Sequence, residues 1–128
     1  MNIIIKVYYK IYHMIDNLIE SVVFGFQRMF RGYDNSAYWC LHSYLTDIAI
    51  PVLKNMRDYG FGVPYNDDTK KFHTNREWKT RLNKMIKAFE IIQKDDWEYN
   101  NSKKLKKQKE IIKIGLKEFS DYFTALWD

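Results

Sequence analysis

Residues 74–92 have the sequence TNREWKTRLNKMIKAFEII, which carries both a start signal and an apolar stripe for one helix. Thr74 is followed three residues later by Glu77, the spacing at which the two side chains reciprocally bond free amides of a helix N-terminus. Apolar residues then recur every three or four positions, as one face of an α-helix requires; they are Trp78, Leu82, Met85, Phe89 and Ile92. We therefore predict an amphipathic helix that begins near residue 74 and ends near Trp97.

Three further segments show the same periodicity. The first predicted helix runs from about residue 3 to about residue 30 and ends at Gly32, since glycine readily adopts the backbone conformation that stops a helix. We predict that Asp34 or Ser36 caps the N-terminus of the second helix and that Ser102 caps the N-terminus of the fourth. Their apolar stripes, in chain order, are Ile4, Tyr8, Ile11, Ile15, Leu18, Val22, Phe26 and Met29; Tyr38, Leu41, Leu45, Ile48, Val52 and Met56; and Leu105, Ile112, Leu116, Phe119, Phe123 and Leu126.

Two residues inside these helices need an explanation. Pro51 removes one backbone hydrogen bond and clashes with the preceding turn, so we predict a kink or a break in the second helix. Gly115 costs about 1 kcal/mol relative to alanine in the fourth helix. We expect a neighbouring helix or a bulky aromatic side chain to approach closely at Gly115.

The predicted fold class is all-α, an antiparallel four-helix bundle with a proline-kinked second helix. A chain of 128 residues with 46% hydrophobic and 17% aromatic residues is long and apolar enough for one packed core. We predict a single helical domain over residues 1–128. The segment from Tyr59 to His73 has no periodicity and is predicted to be a loop, and only residues 3–9 are ambiguous between helix and strand.

Charge and cysteine content indicate the kind of cellular environment in which we expect the chain to fold. The formal net charge is +5, and two basic blocks flank an acidic one, a pattern more typical of a solvated surface than of a nucleic-acid interface. Cys40 is the only cysteine, so nothing indicates an oxidising compartment. Charged residues interrupt the apolar N-terminal segment, which excludes a typical signal peptide or membrane span. We expect no membrane association.

The sequence contains no recognisable catalytic motif. Cys40 and His42 are two residues apart, so a helix points their side chains about 200° apart and prevents a direct partnership. The three histidines lie in separate segments, and the Asp67-Asp68 and Asp95-Asp96 pairs lie in predicted turns, where aspartate is a common turn former. We therefore predict that the protein is not an enzyme and that it holds neither a cofactor nor a metal.

A binding site is a better-supported hypothesis, because residues 31–64, RGYDNSAYWCLHSYLTDIAIPVLKNMRDYGFGVP, combine cationic and aromatic groups. A planar guanidinium suits phosphate recognition, and an aromatic ring offers a stacking face to a base. In the alternative interpretation the aromatic residues belong to the core and the arginines pair with Asp34 and Asp47. The candidate ligand-binding residues are Arg28, Arg31, Tyr33, Trp39, His42, Tyr44, Lys54 and Arg57.

The chain resembles a group of short, functionally undefined proteins encoded by tailed bacteriophages. The resemblance rests on RGYDNSAYWCLHSYL, IAIPVLKNMRDYGFGVP, WKTRLNKMIKAFE and KEIIKIGLKEFSDYFTALWD, and it touches all four predicted helices. His42 stands where that group often has an aspartate. The matching positions are Arg31, Gly32, Tyr33, Trp39, Leu41, Tyr44, Pro51, Gly62, Pro64, Trp78, Met85, Phe89, Phe119, Tyr122, Phe123, Trp127 and Asp128.

The resemblance implies a phage protein that works in the host cytoplasm by binding a host component. Our leading hypothesis is noncatalytic sequestration of a small anionic nucleotide-type ligand, such as a host immune signal, which would counter host defence. A homo-oligomer with sites between subunits is compatible with this function. The alternatives are a protein-interaction module that inhibits a host protein and a nucleic-acid-associated accessory protein, of which nucleic-acid binding has the weaker support.

Overall fold

The computed structural model describes residues 2–60 and 62–127 and is mostly helical, which confirms the all-α prediction. The chain forms two compact units, an N-terminal unit (Met1–Leu41) and a C-terminal unit (His42–Asp128). A single domain and a four-helix bundle therefore stay predictions. Asp128, one of the positions of the phage resemblance, lies outside the described residues.

The N-terminal unit consists mainly of one long helix, α1 (Ile3–Arg31). The side chain of Asn2 accepts a hydrogen bond from the Ile4 amide, and the helix ends at Gly32, which has a left-handed φ of 83°. Glycine takes this conformation without a Cβ clash, so the predicted end of the first helix is confirmed. The ambiguous residues 3–9 are helical.

The second predicted helix is two helices in the structure. The short α2 (Ser36–Trp39) ends at Cys40, whose φ of −155° and ψ of 74° are not helical, and α3 (Leu41–Tyr59) follows. Helix α3 continues through Pro51, so the interruption lies eleven positions before the proline. A kink at Pro51 stays a prediction.

Helix α3 also buries a different face from the one predicted. Its buried residues are Thr46, Ile50 and Leu53. Of the five residues of the predicted stripe that lie in α3, Met56 packs against the core as a partly buried residue and the other four are exposed; they are Leu41, Leu45, Ile48 and Val52. The prediction was wrong because α3 carries apolar residues on more than one face, and periodicity does not decide which face meets the core.

A short antiparallel hairpin precedes the next helix and was not predicted. Strands β1 (Tyr65–Asn66) and β2 (Lys71–Phe72) pair with Tyr65 opposite Phe72. The Asn66 side chain accepts bonds from the Asp68 and Thr69 amides at 3.0 and 3.4 Å, which shapes the turn between the strands.

Helix α4 (Asn75–Lys94) forms the centre of the core. Both bonds of the predicted Thr74–Glu77 capping box are present, and the helix ends at Asp95 in a left-handed conformation. Four of the five predicted stripe residues are buried, namely Trp78, Leu82, Met85 and Phe89, and Ile92 packs against the core as a partly buried residue. Ile50 and Leu53 of α3 join the same cluster. The third predicted helix is therefore confirmed in position and face.

Helix α5 (Ser102–Asp121) packs closely against α4. A Cβ on Gly115 would overlap the Ala88 side chain and lie 2.5 Å from the Lys84 carbonyl oxygen, so the predicted close approach is confirmed. The helix cap is Asn101, not Ser102, and its side chain accepts a bond from the Lys104 amide. Beyond Asp121 the chain forms a short 3₁₀ turn (Phe123–Ala125).

Candidate functional site

In the N-terminal unit, Arg28 is part of the corner between α1 and α2. Its Nη1 donates to Asp34 Oδ2 at 2.5 Å, and the Ser36 amide donates to Asp34 Oδ1 at 2.9 Å. The Ser36 hydroxyl bond lowers the pKa of the buried Asp34; burial opposes this effect and the Arg28 bond reinforces it. The bond between Arg28 and Asp34 therefore stabilises the turn between α1 and α2. It agrees with the alternative interpretation, in which an arginine pairs with Asp34.

Arg31 and Tyr33 form an exposed cationic and aromatic surface on the same corner. Arg31 Nε donates to the Tyr33 carbonyl at 3.2 Å, and Nη2 donates to Asn35 Oδ1 at 2.5 Å. The guanidinium carbon lies 4.6 Å from the centre of the Tyr33 ring. The hydroxyls of Tyr33 and Tyr38 lie 3.2 Å apart, and this hydrogen bond raises the pKa of Tyr38. Two of the five guanidinium donors are thus bound internally.

Trp39 lies at the end of α2 and contacts α1. Its ring centroid is 5.7 Å from that of Phe24, with the planes tilted by 60°, and most of the indole is exposed. The contact is a common aromatic packing geometry, so Trp39 helps to attach α2 to α1 within this unit.

The other four predicted site residues belong to α3 in the C-terminal unit. Lys54 Nζ lies 3.0 Å from Glu90, while Arg57 donates to Asp58 at 2.9 Å and to Asn83 at 2.9 Å. The Asp58 hydrogen bond raises the pKa of Arg57. His42 is exposed and Tyr44 is half-buried. Lys54 and Arg57 are therefore each paired with a carboxylate of the C-terminal unit.

The eight predicted residues divide equally between the two units, so one shared ligand pocket stays a prediction. The structure brings Arg31 and Tyr33 together, and it pairs Arg28 with Asp34. No arginine in the described part of the chain pairs with Asp47, whose carboxylate accepts a hydrogen bond from Gln93 at 2.7 Å. An open groove of about 340 Å³ on α3 has none of the eight residues in its lining, which comprises Pro51, Val52, Asn55, Met56 and Tyr59.

A polar cluster around His73 was missed by the sequence analysis. The imidazole is buried; Nδ1 lies 3.3 Å from Glu77 Oε2 and Nε2 lies 3.1 Å from the Tyr122 hydroxyl. Burial raises the pKa of Tyr122. Arg81 packs over the Tyr122 ring at 4.9 Å and donates to both carboxylate oxygens of Glu118. In the sequence, the four-residue spacing of His73 and Glu77 was the signal that could have indicated their contact.

This cluster connects three segments that are distant in sequence. It ties the residue after β2 to the first turn of α4 and to the residue that follows α5. Every buried side-chain nitrogen and oxygen among the described residues has a hydrogen-bond partner. The geometry is that of a satisfied structural network, since buried polar groups are stable when each has a partner.

The most extensive unusual surface is the apolar face of α1. This face comprises Ile4, Tyr8, Ile11, Ile15, Leu18, Val22, Phe26 and Met29, and each side chain is between 47% and 74% exposed. No residue of α1 is classed as buried. The face was predicted from the sequence, but as part of a core.

No protein-family model, curated protein or solved structure matches the chain. Within residues 2–60 and 62–127, every helix is too short or too polar to cross a bilayer. The same residues contain no cluster of three or more His, Cys, Asp or Glu side chains that could hold a metal ion.

Proposed function

We propose that the protein acts without catalysis as a protein-interaction module and that the apolar face of α1 is its contact surface. The observation that carries this proposal is the exposure of eight large apolar side chains along one side of a single helix. Apolar patches of this extent are rare on monomeric proteins and mark interaction sites. Burying them gains roughly 25 cal/mol per Å² of apolar surface.

The partner offers a complementary apolar helical surface. An amphipathic helix of this kind binds by laying its apolar side chains into a groove, with anchors spaced at three and four residues. The resemblance to short phage proteins supports a function that depends on contact with another protein in the host cytoplasm, where inhibition of a host protein would counter defence.

The proposal can be tested with one pair of matched variants. Ile15→Asp places a carboxylate at the middle of the apolar face, whereas Asn17→Asp places the same charge two residues away on the opposite side of α1. A bacterial protein captured by the tagged wild type is purified, and its affinity for each variant is measured by calorimetry. We expect Ile15→Asp to weaken binding at least tenfold and Asn17→Asp to leave it unchanged. Equal affinity for all three proteins would contradict the proposal.

A second candidate function is sequestration of a nucleotide-type anion at the α1–α2 corner. The stacking of the Arg31 guanidinium on the exposed Tyr33 ring favours it, because such surfaces accept phosphates and planar rings. A ligand at about 100 times its Kd should stabilise the protein by about 2.7 kcal/mol.

The test is a thermal-shift screen with cyclic dinucleotides and ADP-ribose derivatives. We expect a rise of several degrees in Tm for a true ligand, lost in Arg31→Ala and kept in Arg76→Ala, which removes an exposed arginine from α4. A panel that leaves the Tm of the wild type unchanged would eliminate this candidate.

A further inference from the structure

We infer that a group of exposed lysines on α5 binds the phosphate backbone of double-stranded nucleic acid, independently of its base sequence. This inference does not depend on the proposed function, because it concerns a surface of the C-terminal unit and not α1. Two features carry it: the lack of ion-pair partners for these lysines, and their arrangement in two rows beside an open groove.

Most lysines of α5 have no acidic partner. The helix contains seven lysines, all exposed, of which Lys117 forms an ion pair with Asp121 at 2.7 Å. Among the residues that the structure describes, the other six form no ion pair. We call these six residues the lysine surface; they are Lys103, Lys104, Lys106, Lys107, Lys109 and Lys113. Six unpaired positive charges are therefore concentrated in eleven consecutive residues of one helix.

The lysine surface is unfavourable for the helix that carries it. Lysines four residues apart, such as Lys103 and Lys107 or Lys109 and Lys113, lie side by side on a helix and repel each other. The first turn of α5 also contains no acidic residue, although the positive end of the helix dipole favours one there. A local rule that is broken without a compensating contact indicates a functional site. A bound polyanion would relieve this repulsion.

The lysines form two rows along the exposed part of α5. Lys106, Lys109 and Lys113 follow each other at three and four residues and line an open groove of about 360 Å³. Lys103 and Lys107 are four residues apart and form the second row. A helix with its side chains is about 10–12 Å across, close to the roughly 12 Å width of the major groove of a duplex. The two rows can therefore contact phosphates of both strands.

The chemistry of the lysine surface fits nucleic acid better than a protein or a membrane. Lysine is depleted from protein–protein interfaces, whereas nucleic-acid interfaces are strongly positive and duplex DNA carries one negative charge per about 1.7 Å. Helices that lie on membranes insert a free apolar face. The apolar side of α5 is occupied instead, because the Phe119 ring centroid lies 5.1 Å from that of Phe89 and Gly115 packs against Ala88.

The side chains on this part of α5 contact phosphates but do not read bases. Gln108 is the only amide side chain within residues 102–113, and both of its polar atoms are engaged. Its Nε2 donates to the Asp96 carbonyl at 3.1 Å, and its Oε1 accepts from the Glu98 amide at 3.2 Å. The same twelve residues include no aromatic ring, which single-strand binding uses for base stacking. We therefore expect duplex binding without sequence preference.

The binding is tested by fluorescence anisotropy with labelled DNA and RNA duplexes of about 20 base pairs in about 50 mM salt. The test protein carries Lys109→Gln and Lys113→Gln. The control carries Lys71→Gln and Lys79→Gln, which remove two charges outside α5. We expect the test protein to bind at least tenfold more weakly than wild type and the control to lose less than about threefold. The slope of log K against log salt should fall by about two in the test protein, since each phosphate contact contributes about 0.9.

Four results would overturn the inference. One is a wild type that binds neither duplex, and another is an equal loss of affinity in the test and control proteins, which would indicate general charge attraction. A third is tighter binding to a single strand of the same sequence. The fourth is displacement of the duplex by polyglutamate as effectively as by unlabelled duplex of equal charge, because the surface would then accept an acidic protein equally well.

Glu110→Gln provides a second test with the opposite sign. Glu110 lines the groove beside the first row of lysines, where its carboxylate repels a phosphate. Its replacement should tighten duplex binding by about two- to fivefold, a range typical of exposed charge interactions. The side chain is exposed, so the fold should be retained, and circular dichroism checks this. Unchanged or weaker duplex binding by folded Glu110→Gln would contradict the inference.

Discussion

Helices α1 and α4 share an amphipathic sequence pattern, but their apolar stripes differ in how far they are buried. Both carry apolar residues every three or four positions and both have side-chain N-caps. The stripe of α4 is buried against α3 and α5, with Leu82 fully inaccessible, whereas the stripe of α1 is exposed, with Leu18 65% accessible. Amphipathic periodicity thus predicts a helix and an apolar side, but it does not decide whether that side is buried.

The largest expected difference between the two helices comes from matched leucine deletions. Leu82→Ala should lower the free energy of unfolding by about 2–5 kcal/mol, since it leaves a cavity in a packed core. Leu18→Ala should change it by less than about 0.5 kcal/mol, because the Leu18 side chain is exposed. Urea unfolding followed by circular dichroism measures both. Similar losses for the two variants would show that α1 is packed in the monomer.

Glycine replacements sharpen the comparison. Gly115→Ala should destabilise the fold by roughly 1–3 kcal/mol because its Cβ overlaps α4. Gly25→Ala should raise the free energy of unfolding by about 0.5–1 kcal/mol, the helix-propensity gain, because the only atom within 4 Å of its Cβ would be Arg28 Nη2. Urea unfolding curves of the two variants measure both changes. Strong destabilisation of the monomer by Gly25→Ala would contradict our account of α1.

The His73 cluster tests how far α4 depends on polar contacts. Tyr122→Phe removes the hydroxyl that contacts His73 Nε2 and should cost about 1–3 kcal/mol, the penalty for a buried group without its partner. Tyr99→Phe, at an exposed tyrosine, is the control and should have no measurable effect. Thermal unfolding of the two variants measures this cost. An unchanged Tm in Tyr122→Phe would show that the bond between Tyr122 and His73 does not contribute to stability.

The smallest effect concerns pH at the corner of the N-terminal unit. Because the folded-state pKa of Asp34 lies below its ordinary value of 3.8, its contribution to stability is complete above about pH 4 and disappears as pH falls through the folded value. Carbon-detected NMR should give a midpoint below 3.8, and Asp34→Asn should remove this pH dependence. A midpoint at or above 3.8 would mean that the Ser36 and Arg28 bonds do not form in solution.

Several elements could be predicted from the sequence because their causes are local. The Thr74–Glu77 capping box, the end of α1 at Gly32 and the close contact at Gly115 each follow from a few neighbouring residues and are present. The face of α3 was not predictable, because residues on two of its sides are apolar and the choice depends on the shape of α4 and α5. The contact of His73 with Tyr122 joins residues 49 positions apart, a distance that no local pattern covers.

The candidate site was predicted only in part. The sequence indicated arginine and aromatic side chains near the α1–α2 corner, and the structure brings Arg31 onto Tyr33. It indicated an arginine pair with Asp34 only as the alternative interpretation, and it did not indicate that Lys54 and Arg57 would be matched by Glu90 and Asp58. These pairings depend on the geometry of turns and neighbouring helices, which side-chain type alone does not specify.

By itself the sequence determined where α1 and α4 form and which side of each is apolar, because backbone hydrogen bonds, caps and side-chain periodicity act within a few residues. Only the tertiary structure decided which apolar sides are buried, since burial is a competition among surfaces that are distant along the chain. Within the C-terminal unit, residues of α3 and α5 pack against α4, whereas the side chains of the apolar face of α1 are exposed. We propose that the same hydrophobic effect that makes α4 a core helix makes the exposed apolar face of α1 a contact surface for another protein.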